Sequence, residues 1–255
     1  ITFDYCIGVS AGSANTASYL AGQRGRNLRF YVDHLNEPGY MGVKNLLRTG
    51  QFFGLQYIYQ TLTNSDGADP IDYPAIMANP AEFELVATDA ATGKPVYFTK
   101  DDMKQDDYRA IMASCALPVM CRPISFKDQT YFDGGLSDSV PIMRAFAKGC
   151  DRVVVILSKP RSFVKQPEGF RHIYRHALRK YPQTIAALDN RHLMYRQNIA
   201  DVKKQESAGK ALVFAPSKEL KMSTYARDEK LEQELYDLGI SDFDARLNEL
   251  HTFLS

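Results

Sequence analysis

Short strand-like runs alternate with helical patterns along most of this chain, and this alternation constrains the fold more than any other feature. The strand-like runs, rich in β-branched or aromatic residues, are residues 3–7, 83–88, 96–98, 153–157 and 211–214. Helical patterns lie between them at residues 14–21, 43–48, 108–116 and 142–148. This arrangement predicts an α/β fold with a central, largely parallel sheet sandwiched by helices.

The last third of the chain has a different pattern. Residues 169–203 are predicted to form two long helices that are broken near Tyr181-Pro182, because proline cannot continue a helix. Two further helices are expected at 228–238, ended by Gly239, and at 242–254, capped by Ser241. We therefore expect a core over residues 1–160 and a mostly helical region over 161–255, packed on the same domain.

The composition excludes several classes of function. With 31 Lys and Arg against 30 Asp and Glu, the net charge of +1 gives no reason to expect binding to nucleic acid. No apolar run approaches the roughly 20 residues of a membrane span. The four cysteines lack metal-ligand spacing, and phosphate-loop, dinucleotide and zinc-protease motifs are absent. The sequence thus predicts a cytoplasmic protein, soluble or peripheral to a membrane, without metal or cofactor.

The segment Gly8-Val9-Ser10-Ala11-Gly12 matches the pattern G-x-S-x-G. An apolar strand enters it and a helix of small residues leaves it, which is the context that a nucleophilic serine requires. Gly8 and Gly12 are expected to prevent collisions in the sharp turn, and the Ala11 amide is expected to stabilise an oxyanion. The alternative is an ordinary strand-to-helix turn.

A serine nucleophile needs a base. None of the histidines has a recognisable catalytic signature; they are His34, His172, His176, His192 and His251. Asp133 follows a short aromatic strand and precedes Gly134 and Gly135, which would let the backbone pass close to the nucleophile. We therefore predict Asp133 as the base, with a plain Asp-Gly turn as the alternative.

Together these motifs resemble the patatin-like phospholipases. Three further segments, at residues 85–98, 113–118 and 138–141, resemble family segments in the same order. The resemblance implies a patatin-like fold and a Ser-Asp dyad that hydrolyses carboxylic esters of phospholipids or related acyl lipids. Ser10 would attack the ester, and Asp133, within about 3 Å, would accept its proton directly. The helical C-terminal region is similar to the extension of some bacterial cytoplasmic members.

The chain departs from the family pattern in one respect. The family carries a glycine-rich oxyanion loop ahead of the serine turn, on the first core strand. Here Ile1 already lies at the strand that enters the turn. We interpret this as truncation of that strand and loop, which leaves Ala11 as the obvious oxyanion donor.

The region between residues 159 and 196 is strongly basic. Arg171, Arg175 and Arg179 are spaced to share one helix face, which favours contact with an anionic membrane surface, with Phe170, Tyr174 and Tyr181 as interfacial aromatics. The alternative is a solvated face.

Two rival functions stay open. One is a conventional serine esterase whose base is His172, His176 or His192. The other is a catalytically silent lipid-binding or regulatory module that retains the fold. A lid over residues 38–72 is also conceivable from its glycines, although packed helices explain the segment equally well.

Overall fold

The computed structural model describes residues 1–220 and 227–255. Its strands are β1 (Tyr5–Val9), β2 (Glu82–Asp89), β3 (Pro95–Thr99), β4 (Ile124–Phe126), β5 (Gln129–Asp133), β6 (Val153–Ile156) and β7 (Ala211–Phe214). Its α-helices are α1 (Ala11–Leu20), α2 (Arg26–Val32), α3 (Val43–Thr49), α4 (Tyr73–Ala78), α5 (Arg109–Ser114), α6 (Ile142–Ala147), α7 (Arg171–Ala177), α8 (Pro182–Ser207), α9 (Glu229–Asp244) and α10 (Leu247–Leu254). A π-helix covers Tyr57–Leu62, and three-residue 3-10 turns cover Lys100–Asp102 and Gly134–Leu136. The fold is therefore mixed α/β, as the alternation predicts.

The strands form a mixed sheet, and the expectation of a largely parallel one is wrong. Strands β1 and β2 are parallel, as are β6 and β7 in a separate two-stranded sheet. Strand β2 pairs antiparallel with β3 and β5, and β4 with β5. For β4 and β5 the cause is local: Lys127 and Asp128, with φ of 48° and 60°, form a two-residue turn that folds β4 back onto β5. A longer connection of five residues, 90–94, joins β2 to β3 and contains Gly93 with a φ of 68°.

Strand β2 lies at the centre of the larger sheet, and its pairing fixes the position of the site. One edge of β2 pairs with β3. The opposite edge pairs first with β1, up to Val9 beside Val86, and then with β5, which reaches Ala87 with Asp133. Strands β1 and β5 thus approach each other from opposite directions and end at neighbouring positions of β2.

The core lies on both sides of this sheet. Large buried side chains of β2 and α5 pack together on one side, including Phe83, Leu85, Ile111 and Met112. Phe132 of β5 packs on the other side against Leu188 of α8. The 38–72 segment is also packed, because Tyr40 and Ile58 are buried in a cluster with Phe30.

The C-terminal helices differ from the prediction at three points. The first of the two long helices predicted over 169–203 is the short α7, seven residues from Arg171 to Ala177. Helix α8 begins at Pro182, as the sequence indicates, but α9 continues through Gly239 to Asp244. A glycine inside a helix costs only about 1 kcal/mol, and Gly239 has no left-handed φ that would end the helix. Ser241 therefore lies within α9 and is not a cap; the cap is Asp228, whose carboxylate accepts from the Leu231 amide. Within the described ranges, no helix combines the length and apolar character needed to cross a membrane.

Candidate active site

Ser10 occupies the turn between β1 and α1 in a strained conformation. Its φ of 54° and ψ of −128° lie in a region that residues with a side chain rarely adopt. The turn is closed by a hydrogen bond from the Ser13 amide to the Ser10 carbonyl, 2.8 Å long. This geometry lifts the Ser10 side chain out of the strand and leaves it partly exposed at the start of a helix.

The Ser10 hydroxyl meets Asp133 across the junction of β1 and β5. Ser10 Oγ donates a hydrogen bond to Asp133 Oδ2 at 2.6 Å. The other carboxylate oxygen, Oδ1, accepts from the Gly135 amide at 2.7 Å. Both oxygens of the carboxylate are thus held, one by the turn that follows β5 and one by the serine.

Asp133 is buried, with 1% of its surface exposed. Burial raises the pKa of Asp133 above its usual range, and the nearby charge of Arg191 and hydrogen bonds from Ser10 and Gly135 offset this only in part. A raised pKa makes the carboxylate a stronger base than a free aspartate in water.

The four motif glycines differ in why they are needed. A Cβ on Gly8 would lie 2.5 Å from Ser13 Cα, and one on Gly134 would lie 2.2 Å from the Val86 carbonyl oxygen. A Cβ on Gly135 would approach Asp133 Oδ1 at 2.9 Å. Gly12 is different, because a Cβ there would meet nothing within 4 Å. The expectation that Gly12 prevents a collision is therefore wrong: its backbone already follows α1, which points that position into open space.

The Ala11 amide lies at the N-terminus of α1, directly after the serine. Ala11 is exposed, and within residues 1–220 and 227–255 its N–H makes no hydrogen bond. An open amide at a helix N-terminus suits an anion, so this position is chemically able to donate to an oxyanion.

Ser114 is a residue of this site that the sequence analysis does not single out. It is fully buried at the end of α5, and its Oγ accepts from the Ser10 amide at 3.0 Å and donates to the Val86 carbonyl at 2.6 Å. Because a hydroxyl has one hydrogen, the 2.8 Å contact with Ser13 Oγ must be donated by Ser13. The sequence signal that could have pointed to Ser114 is its position in the 113–118 segment, which resembles a family segment. Ser114 anchors the strained turn to the central strand.

No histidine contacts the pair among the residues that the structure describes. His172, His176 and His251 are exposed, and His34 lies beside Glu37 at 3.1 Å. His192 is half-buried on α8, with a buried Nδ1 that has no partner in the described part of the chain. The geometry therefore offers Asp133 as the base within reach of Ser10.

The basic stretch does not form the predicted arginine face. Helix α7 ends at Ala177, so Arg179 lies beyond it, in a turn that leads to Pro182. Arg171 and Arg175 both pair with Asp189 of α8, at 3.1 and 2.6 Å.

The predicted interfacial aromatics are also divided. Phe170 is exposed, whereas Tyr174 is buried and Tyr181 packs against Phe132. Contact with an anionic membrane stays a prediction, and two of its three arginines share one carboxylate, which offsets one of their two positive charges.

Comparison with known proteins identifies two families and one curated relative. The family model described as patatin-like phospholipase matches residues 1–146. A second model, described as a domain of unknown function (DUF6363), matches residues 181–255. Among curated proteins, the chain is similar to uncharacterized protein YjjU of Escherichia coli (strain K12), with 24% identity over 174 residues. The match covers 68% of this chain and 48% of YjjU, so the chain spans about half the length of this relative.

Proposed function

Because this chain belongs to the patatin-like phospholipase family, we propose that it is a serine hydrolase that cleaves carboxylic esters of acyl lipids through Ser10 and Asp133. The observation that carries the proposal is the 2.6 Å hydrogen bond from Ser10 Oγ to Asp133 Oδ2. A strained serine at a strand-to-helix turn, bonded to a buried carboxylate, is arranged for proton transfer and nucleophilic attack.

In the first half of the reaction, Ser10 Oγ attacks the ester carbonyl carbon while its proton passes to Asp133 Oδ2. The carbonyl oxygen becomes an oxyanion, which the Ala11 amide and the N-terminus of α1 stabilise. When the tetrahedral intermediate collapses, the alcohol leaves with the proton from Asp133, and the acyl group stays on Ser10.

In the second half, water attacks the acyl-serine ester, and Asp133 accepts a proton from that water. Collapse releases the fatty acid and returns the proton to Ser10 Oγ. The same carboxylate serves both halves, so the reaction needs Asp133 ionised at the start of each half. Activity is expected to fall as the pH drops through the raised pKa of Asp133.

The test is hydrolysis of p-nitrophenyl acyl esters of several chain lengths, followed by fatty-acid release from phospholipid vesicles. We expect Ser10→Ala and Asp133→Asn each to lower kcat by about a thousandfold or more. Asp138→Asn is the matched control: Asp138 is half-buried five residues later and accepts a hydrogen bond from Tyr97 at 2.8 Å, without contacting Ser10. This control should keep most of the activity.

The rival functions predict other outcomes. An esterase with a histidine base would lose activity on replacement of His172, His176 or His192 by alanine and would tolerate Asp133→Asn. A silent binding module would show no hydrolysis above the Ser10→Ala background. Circular dichroism on every variant separates lost chemistry from lost folding.

A further inference from the structure

One face of helix α8 lies along the loop that carries Asp133. Thr184 Oγ1 donates to the Ala90 carbonyl at 2.9 Å, beside the end of β2. Further along α8, Asn198 Oδ1 accepts from the amides of Ser139 and Val140 at 3.1 and 3.2 Å. Five side chains share this face, because they are spaced three, four or seven residues apart along the helix. They are Thr184, Leu188, Arg191, Asn198 and Val202. The helix that belongs to the domain of unknown function therefore packs directly on the aspartate loop.

Arg191 is the charged member of this face and points at the Asp133 turn. Its Nε donates to the Gly135 carbonyl at 2.9 Å, and its Nη1 pairs with Glu168 at 3.2 Å. The Gly135 amide in turn donates to Asp133 Oδ1. A Cβ on Gly135 would lie near both Asp133 Oδ1 and Arg191 Nη2, at 2.9 and 3.3 Å, so the carboxylate and the guanidinium approach Gly135 from the same side.

We propose that Arg191 is a positioning residue of this active site, which holds the Asp133 turn by its bond to Gly135 and supplies the positive charge that faces the aspartate. The inference rests on the proposed function of Ser10 and Asp133. It gives the region matched as a domain of unknown function a role: this region completes the site by keeping the base ionised.

Few other groups determine the charge of Asp133. Ser10 and Gly135 donate hydrogen bonds to it, and the Cys115 and Cys121 thiols lie nearby. Burial raises the pKa of Cys121 to about 12 and that of Cys115 further, so both thiols are neutral near pH 7. Glu168 neutralises Arg191 in part and is itself paired with Lys165 at 2.9 Å.

The sign of the effect follows from these charges. Burial raises the pKa of Asp133, and Arg191 lowers it in part. Removal of the Arg191 charge should raise this pKa further, so the carboxylate ionises at a higher pH. Removal of the Glu168 charge should act in the opposite direction, because it leaves the positive charge of Arg191 uncompensated.

The experiment measures kcat/KM for a p-nitrophenyl ester against pH in the full chain. We expect Arg191→Gln to move the midpoint of the acidic limb up by about one pH unit and to recover most of its activity at alkaline pH. Glu168→Gln should move the midpoint down. Arg191→Lys keeps the charge and should leave the midpoint closer to that of the wild type.

The pH profiles distinguish an effect of the Arg191 charge on Asp133 from an effect of packing alone. An Arg191→Gln variant that loses the same factor of activity at every pH, with an unshifted midpoint, overturns the inference, because packing alone would explain it. Should Arg191→Gln fail to fold by circular dichroism, Glu168→Gln decides alone, and an unshifted midpoint there overturns the inference as well. Failure of the proposed function looks different, since the wild type itself would then show no activity that depends on Ser10.

Discussion

The two turns that carry Ser10 and Asp133 reach the same meeting point by different means. At the end of β1, the serine itself takes a strained conformation, with a φ of 54°. At the end of β5, Asp133 has a relaxed φ of −49° and ψ of 133°, and the crowding falls on Gly134, next to the Val86 carbonyl. In the first turn the strained residue is Ser10 itself. In the second turn the crowded residue is Gly134, which has no side chain.

This difference has a consequence for how each turn is held. Asp133 is bonded within the sheet, because it pairs with Ala87 and its amide donates to the Ala116 carbonyl at 2.9 Å. Ser10 lies just beyond the last pair of β1 and depends on Ser114 for a partner to its amide. A strained residue persists only where its surroundings hold it, so the serine turn should be the more sensitive of the two to lost contacts.

The largest effect on stability is expected at Gly134, where the turn after β5 has no space for a side chain. Gly134→Ala would place a Cβ 2.2 Å from the carbonyl oxygen of Val86, which belongs to the central strand and cannot easily move. We expect a loss of about 3 kcal/mol in the free energy of unfolding, measured by urea denaturation.

Gly12→Ala provides the matched control on the serine turn, because its Cβ meets open space. Its stability should match that of the wild type or exceed it by up to about 1 kcal/mol, because alanine is favoured over glycine in a helix. Equal stabilities for the two variants would show that lack of space does not explain the glycine at position 134.

An intermediate effect is expected when the hydrogen bonds that hold the two turns are removed one at a time. Ser114→Ala removes the acceptor of the Ser10 amide, and Thr88→Val removes the hydroxyl that donates to the Asp133 carbonyl at 2.8 Å. Both residues are fully buried, so each change should cost about 1–3 kcal/mol in stability. Ser114→Ala should also lower kcat by about tenfold, because the serine loses its anchor, and Thr88→Val should lower it less.

The comparison requires kcat and urea unfolding on both variants. If Thr88→Val lost as much activity as Ser114→Ala at equal stability, the relaxed turn would be as sensitive as the strained one. The proposed link between strain and sensitivity would then fail.

The sequence predicts the two turns well because each leaves a short, local signal. The strand, the glycine and the reactive residue stand together at Gly8–Ser10 and again at Asp133–Gly134, and the structure explains both glycines by lack of space. The reason given for Gly12 was wrong because spacing in a motif does not reveal which way a Cβ would point. The sequence does not predict the antiparallel pair of β4 and β5, because Lys127-Asp128 forms a left-handed turn without the Asn or Gly that usually marks one.

Contacts between distant segments leave no such signal. Ser114 and Arg191 act on residues 104 and 56 positions away in sequence, across elements whose packing only the structure gives. Arg191 also lies in a basic stretch, where its neighbours suggest an exposed surface. Gly239 does not end α9, because the roughly 1 kcal/mol that glycine costs inside a helix is too little to stop it.

The smallest expected effect is on stability, and it comes from the buried carboxylate of Asp133. Burial raises the pKa of Asp133 in the folded protein, so between the unfolded and folded pKa values the folded state binds more protons than the unfolded state. Stability therefore falls as the pH rises through this window. Asp133→Asn, which we expect to be inactive, should be more stable than the wild type at neutral pH, and the difference should vanish at pH values below about 4.

Asp189→Asn is the control of opposite sign. Burial opposes ionisation of Asp189, but hydrogen bonds from Arg175, Tyr174 and Arg171 outweigh it and lower the pKa to about 2. This carboxylate contributes stability at neutral pH that is lost only as the pH falls through its folded pKa, so the variant should be less stable than the wild type near pH 7. Thermal unfolding from about pH 3 to 8 measures both differences. If Asp133→Asn were less stable than the wild type at neutral pH, the hydrogen bonds from Ser10 and Gly135 would outweigh the burial of the charge. The Asp133 carboxylate would then not destabilise the folded protein.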